Sequence, residues 1–458
     1  MTTGDHAELA DLITRLIRRD HRPAQPLPLL CLIYDAETPS PVENLARRLH
    51  APAGRRRVRF ARPNLTTLTA DPERGDTPAD GRLPALLRAL RRELSSNTSG
   101  PDPLVCRRLH LAQVLMRQTI DVDAAEDVHD ESRVVAGMLR EQFGYRWAAW
   151  LLEHGRDIHG LSGLVYNIIL LLPRCIVWIR TSGVIPGLGR EFRWFVRQPF
   201  MTPTLSSGGF RGFAPWLTAP RRAAEDPVQV QMLLVHAFLE DLRQAYRSRP
   251  WRLRAWRRTA HPVVLLTDAA PATGEPDDLG ATLLRLINDV RNATGLLDPL
   301  VVVYAAPTVP SAALRPLPGP PPPATEAAHR YAVWKDALER RDWRLRAPSA
   351  WYLPLTVTTP ALDAPGDPVG SQGRITPGRP PWWSHRAVPI AVCLALVAGL
   401  TSWGASAVVE RCGTVLSQGR VAIQRVQSGS ASGTATTPAS CSATTATPAR
   451  DRSPARPS

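Results

Sequence analysis

The segment LPLLCLIYDAETPSPVENLARRL, Leu27 to Leu49, reads as a buried strand, a turn and the opening of a helix. LPLLCLIY is a continuous apolar run of the kind covered on both faces of a parallel sheet. Ser40-Pro41-Val42-Glu43 has capping-box spacing with proline at the first helical position. A helix therefore starts at about Pro41 and turns Val42, Leu45, Ala46 and Leu49 inward. In an α/β protein this turn is where a phosphate-binding loop sits. Such a loop has the pattern G-x-x-x-x-G-K-[ST]: glycines let backbone N–H groups close around the phosphates, lysine reaches the β/γ oxygens, and the hydroxyl holds Mg²⁺. Asp35-Ala36-Glu37-Thr38-Pro39-Ser40-Pro41 has no glycine and no lysine, two prolines without N–H donors, and two carboxylates that repel a triphosphate. Lys335 is the one lysine of the chain, so a Walker A motif exists nowhere in it.

Working outward, RVRFARPN (Arg57 to Asn64) and LPALLRALRREL (Leu83 to Leu94) form a second strand-and-helix unit. Helices follow over Cys106 to Gln118 and Ser132 to His154. The acidic stretch Asp121 to Glu131 lacks the glycine and the twelfth-position glutamate of a calcium loop and reads as a solvated helix start. Leu161 to Ile179 is strongly apolar but is broken by Asn167, Pro173 and Arg174, which fits a core helix or a membrane-surface segment better than a span. Asp226-Pro227 opens a long helix through Tyr246, with Val228, Leu234, Val235, Phe238, Leu239 and Leu242 as its inner stripe and His236 as a satisfied core residue. HPVVLLTDA (His261 to Ala269), a helix over Leu279 to Gly295 with Gly295 as its left-handed stop, and DPLVVVYAA (Asp298 to Ala306) make a βαβ crossover. A helix over Thr325 to Trp343 and a strand at Trp351 to Thr359 end the domain. The fold class expected is α/β: a mainly parallel sheet with flanking helices over residues 27–360, with a helical, partly apolar insertion at about 130–250. An amphipathic helix and lead-in at 1–26 precede it, and a Gly/Pro-rich linker at 361–386 follows.

Residues 387–409, AVPIAVCLALVAGLTSWGASAVV, carry no charge. At about 1.5 Å per residue they cover the roughly 30 Å hydrocarbon layer, so one transmembrane helix is expected, with Trp382 and Trp383 at its interface. Arginines tie across the span, three on each side: Arg374, Arg379 and Arg386 before it, and Arg411, Arg420 and Arg425 after it. The N-terminus lacks the apolar core of a secretory signal, which leaves the large domain cytoplasmic and the tail outside. That tail, 410–458, is low in complexity and unable to bury a core. Its cysteines, Cys412 and Cys441, could pair if that side is oxidising.

The net charge of +15 comes almost wholly from arginine, a balance that points either to an anionic partner or to the coding bias of a GC-rich genome. The sharpest basic stretch, RSRPWRLRAWRRTAHP (Arg247 to Pro262), sets Trp251 and Trp256 among Arg247, Arg249, Arg252, Arg254, Arg257 and Arg258. It fits contact with anionic lipid or an ordinary solvated face, with nucleic acid as the less favoured third reading. Asp268, at the end of VVLLT, has the position of a Walker B aspartate, and also that of any strand-end aspartate. Gly187-Leu188-Gly189 follows no strand, and no G-x-S-x-G or metal-ligand spacing occurs, so no cofactor is expected.

FRWFVRQPF, LLVHAFLEDLRQAYR, WRRTAHPVVLLTDA and LLRLINDVRNATGLLDPLVVV, followed by the span and Arg411-Cys412-Gly413, resemble an actinobacterial family of single-span membrane proteins. The resemblance implies a degenerate P-loop-NTPase-like cytoplasmic region. In longer members it implies an extracellular solute-binding domain starting near Arg411, where this chain has only its tail. The function expected is a membrane-anchored, catalytically inactive scaffold or signalling protein with lipid and protein partners. A receptor or transport accessory is the alternative, and a tethered nucleic-acid binder the third.

Overall fold

Leu29–Tyr34 forms β1, and none of its six residues is exposed, as a run without polar alternation requires. The computed structural model describes residues 4–19, 25–35, 40–50, 58–65, 78–96, 104–117, 190–200, 210–218, 225–247, 253–267, 279–307, 321–340 and 348–357, with eight further positions between 375 and 399. β2 (Phe60–Ala61), β3 (Val263–Thr267), β4 (Val301–Ala306) and β5 (Tyr352–Val357) complete an all-parallel sheet in the order β2-β3-β4-β1-β5. Leu29 stands opposite Val302 on one side and Tyr352 on the other, so β1 lies inside the sheet between two strands from the far end of the chain. β3 and β4 are adjacent and parallel, as a crossover between them demands.

The α-helices of the described residues of this domain are α1 (Gly4–Ile17), α2 (Pro41–His50), α3 (Pro78–Ser96), α4 (Arg107–Met116), α5 (Arg190–Arg197), α6 (Phe210–Phe213), α7 (Pro227–Tyr246), α8 (Leu253–Arg257), α9 (Leu279–Thr294) and α10 (Ala327–Arg340). They cover both faces of the sheet. Successive strand residues point to opposite faces. Leu29, Cys31, Val264, Leu266, Val302 and Tyr304 therefore join one core with α3, α4, α7 and α9. Leu30, Leu32, Val263, Leu265, Val301 and Val303 join a second core with α1, α2 and α10. The N-terminal helix packs as part of this second layer through Leu9, Leu12, Ile13, Leu16 and Ile17, all buried.

Local signals set several boundaries. Asp226 accepts from the Val228 amide at 2.9 Å and Pro227 opens α7. Gly295, at φ 63°, ends α9 in the left-handed region that glycine tolerates best. Two expectations need correction. The first turn of α7 projects past the core, so Val228 is 43 % exposed and the inner stripe begins at Val230 and Leu233. Ser40 opens α2 through its backbone carbonyl, which accepts from the Glu43 amide at 3.0 Å, while the Glu43 carboxylate turns to Arg62, 3.4 Å away beyond β2.

Residues 386–458 form a second unit. Its described positions, Val388, Leu394, Ala395, Ala398 and Gly399, are helical, and Leu394 is exposed. Among the described residues no helix is long and apolar enough to cross a membrane; the rest of the apolar segment 387–409 lies outside them, as do Leu161 to Ile179, Cys412 and Cys441.

Candidate functional site

The sheet has two ends, and they differ. At the carboxyl end, where nucleotides bind in open α/β sheets, β1 runs out at Asp35, and residues 36–39 of the turn lie outside the described residues, as does Asp268 after β3. The Oγ of Ser40 and Oγ1 of Thr267 are buried there without a hydrogen-bond partner among the described residues. Among the described residues no three His, Cys, Asp or Glu side chains are placed to hold a metal.

At the amino end a cleft of about 1000 Å³ opens between the segments that feed the strands. Leu27, His261 and Pro299, each ahead of a strand, form part of its wall. The last turn of α1 and the residues after it bring Arg15, Arg18 and Arg19; the end of α7 brings Arg243 and Arg247; α10 brings Lys335. The two carboxylates in the wall are engaged. Glu240 receives Arg243 at 2.5 Å, and Asp298 is held by Arg291 in a two-pronged pair of 2.7 and 2.8 Å. Arg291, 1 % exposed, also donates to the carbonyls of Leu27 and Leu300 and lies over the Trp351 ring. One buried guanidinium thus ties the ends of α9, β1 and β4 together.

Arg19 is also structural. It donates to the carbonyls of Ala255, Arg258 and Tyr246, closing the C-terminal ends of α7 and α8, and sits 5.4 Å from the Tyr246 ring centre. Burial, with Arg258 nearby, lowers its pKa to about 10, at which it stays charged near neutrality. Arg258 lies over the same ring, 5.3 Å from its centre, and donates to the Ala245 carbonyl.

The basic stretch is therefore divided. Arg258 is turned to the protein, Trp256 and Arg257 are half-buried, and Arg247 is exposed and faces the cleft. Arg249, Trp251 and Arg252 lie outside the described residues, as does the side chain of Arg254 on α8. Sequence reading missed Arg15, Arg18 and the place of Lys335. Only the strand order brings the end of α1 and the middle of α10 to one edge.

A buried polar cluster joins α4 to α7. Cys106, at the N-cap of α4, offers no side-chain cap; Asp241 of α7 supplies it instead, accepting from the amides of Arg108 and Leu109 at 2.8 and 3.0 Å. The same carboxylate takes the Arg108 guanidinium at 3.0 Å. Burial raises the Asp241 pKa to about 6, against the pull of Arg108 and the two amides. His236, one turn earlier on α7 and 3 % exposed, packs against Trp194 and Phe200. Neither of its ring nitrogens has a hydrogen-bond partner among the described residues, which corrects the expectation of a satisfied core histidine. Burial first, then Arg243 and Arg108, lower its pKa to about 3, so the ring is neutral.

Compared with protein-family models, curated proteins and solved structures, the chain matches none of them.

Proposed function

We propose that this chain is a membrane-anchored, catalytically inactive member of the P-loop-NTPase-like α/β proteins, working as a scaffold or signalling module. The observation that carries this reading is the location of Lys335. A triphosphate site needs a cation at the β/γ oxygens, at the carboxyl end of β1. Lys335, the one lysine, lines the cleft at the amino end with Leu27 and Asp298. Six strand residues at about 3.3 Å each separate the two ends by roughly 20 Å.

The position of β1 supports the kinship. It is an interior strand followed at once by a turn and a helix, the place a phosphate loop occupies. The carboxylates and prolines of residues 35–41 then argue against the chemistry. Anchorage rests on the uncharged run 387–409.

The test uses the full chain in nonionic detergent. Titration calorimetry with ATP and Mg²⁺ gives no micromolar binding, and phosphate release is the same for wild type and Asp268→Ala. Turnover abolished by that substitution would overturn the inactive reading. In cell fractions the chain stays in the membrane pellet through an alkaline wash, and release there removes the anchor.

A further inference from the structure

The amino-end cleft has no part in the inactive carboxyl end, and it is built like a binding site. Among the described residues six cations line it, and the two carboxylates there are taken, Asp298 by Arg291 and Glu240 by Arg243. Arg19 caps helix ends, and Arg243 is paired. Four cations are left facing the opening: Arg15, Arg18, Arg247 and Lys335. The first three are exposed and have no carboxylate partner among the described residues. Among the described residues Lys335 meets Glu339 of its own helix, at a loose 3.8 Å.

Holding four like charges around one concavity is unfavourable unless an anion sits among them. The wall is not uniformly polar. Leu296, 47 % exposed, and Leu297 lie beside the cations, with the ring of Tyr331. Cations beside an exposed and a half-buried leucine fit a ligand that is part phosphate and part carbon, and a volume near 1000 Å³ admits one of small-molecule size.

We propose that this cleft binds an organic phosphate ester, with the phosphate held by Arg15, Arg18, Arg247 and Lys335 and the carbon portion resting on Leu296 and Leu297. The phosphate belongs either to a lipid headgroup or to a soluble ester. The lipid source rests on the anchorage proposed above; the site itself does not, and it stands or falls independently of ATP turnover.

The single lysine makes the site directly readable. In the full chain, an amine-reactive ester has Lys335 as its one lysine target, and mass spectrometry separates that adduct from the N-terminal one. Protein in nonionic micelles is labelled with glycerol 3-phosphate, with micelles doped with phosphatidylglycerol, or with micelles doped with phosphatidylcholine. Labelling of Lys335 falls severalfold with an anionic phosphate ester that binds and is unchanged with phosphatidylcholine, whose phosphate charge is balanced by its own choline cation.

Protection by glycerol 3-phosphate alone assigns a soluble ester. Protection by phosphatidylglycerol alone assigns a headgroup, and protection by both assigns the phosphate group they share. Arg15→Glu with Arg18→Glu raises the concentration needed for protection by about tenfold or more. Arg247→Glu, on a different element, does the same, and Arg330→Ala, an exposed arginine in the first turn of α10, leaves it unchanged. Absence of protection by both anionic probes at millimolar concentration overturns the proposal. So does protection that survives both sets of charge reversals.

Discussion

His236 is a neutral imidazole kept from water with nothing to donate to among the described residues, and its cost depends on pH. Its folded pKa of about 3 lies below the ordinary 6.5, so the unfolded chain binds the proton first and stability is lost as pH falls from about 6.5 toward 3. Asp241, whose folded pKa of about 6 lies above 3.8, has the opposite sign: its contribution is fully present below pH 3.8 and is lost as pH rises through 6. Between those values the two slopes oppose, and the cluster as a whole is nearly flat in pH. His236→Phe removes one slope and an orphaned polar ring while keeping the contacts with Trp194 and Phe200. The variant should be more stable by roughly 1–3 kcal/mol at pH 7. The gain should be larger by roughly 2–3 kcal/mol at pH 4.5, where the wild-type histidine resists a proton that the unfolded chain accepts. Urea denaturation at the two pH values measures both. A gain that does not grow on acidification means the ring has a partner.

Among the elements, those built from neighbouring residues were legible in the sequence. The cap and proline at Asp226-Pro227, the left-handed stop at Gly295 and the uniformly apolar strands each act within a few residues, and the structure places them within three positions. Elements that depend on distant partners were not. β2 pairs for two residues only, because it is an edge strand held by β3 alone, and its sequence cannot show how far that pairing runs. The cap of α4 comes from Asp241, 132 and 133 positions away from the amides it accepts, and no local spacing announces it. The Arg291–Asp298 staple lies between the two cases. Its partners are seven positions apart, with Gly295 between them to reverse the chain, yet nothing in the helical pattern marks Arg291 as the partner of Asp298. Arg291→Leu leaves Asp298 charged and fully buried, and should cost about 3–5 kcal/mol. Asp298→Asn added to it should recover a large part of that loss. Thermal unfolding of the wild type, both single variants and the double variant gives the coupling directly, and additive losses would mean the pair contributes no more than its packing.

At the scale of the whole molecule, the order β2-β3-β4-β1-β5 interleaves the first strand between the last two. Leu29 pairs with Val302 and Tyr352, so β1 has no strand neighbour until more than 270 further residues have been made. Both cores span the same distance, with α1 and α2 of the N-terminal part covering β4 and β5 residues of the C-terminal part. This explains why the cleft and its cations were illegible segment by segment. Their juxtaposition is a property of the sheet order, not of any stretch of sequence. The same arrangement makes completion of the fold late and slow, since the non-local pairings reward loop closure only at the end. A chain ending at Arg340 keeps α1 to α10 and four strands, yet it loses β5 and with it Leu353, Leu355 and Val357 of the second core. β1 then becomes an unpaired apolar edge of six residues. Such a chain should be recovered as aggregate, or as a species that thermolysin digests far faster than the intact domain. Removing the one β2 amide that faces β3 with Ala61→Pro acts at the opposite edge, where two residues pair, and should leave a soluble, cooperatively unfolding protein within a few kcal/mol of wild type. If the truncated chain is as soluble and protease-resistant as the wild type, β1 does not depend on its late neighbours, and the interleaved order has no bearing on how the domain becomes stable.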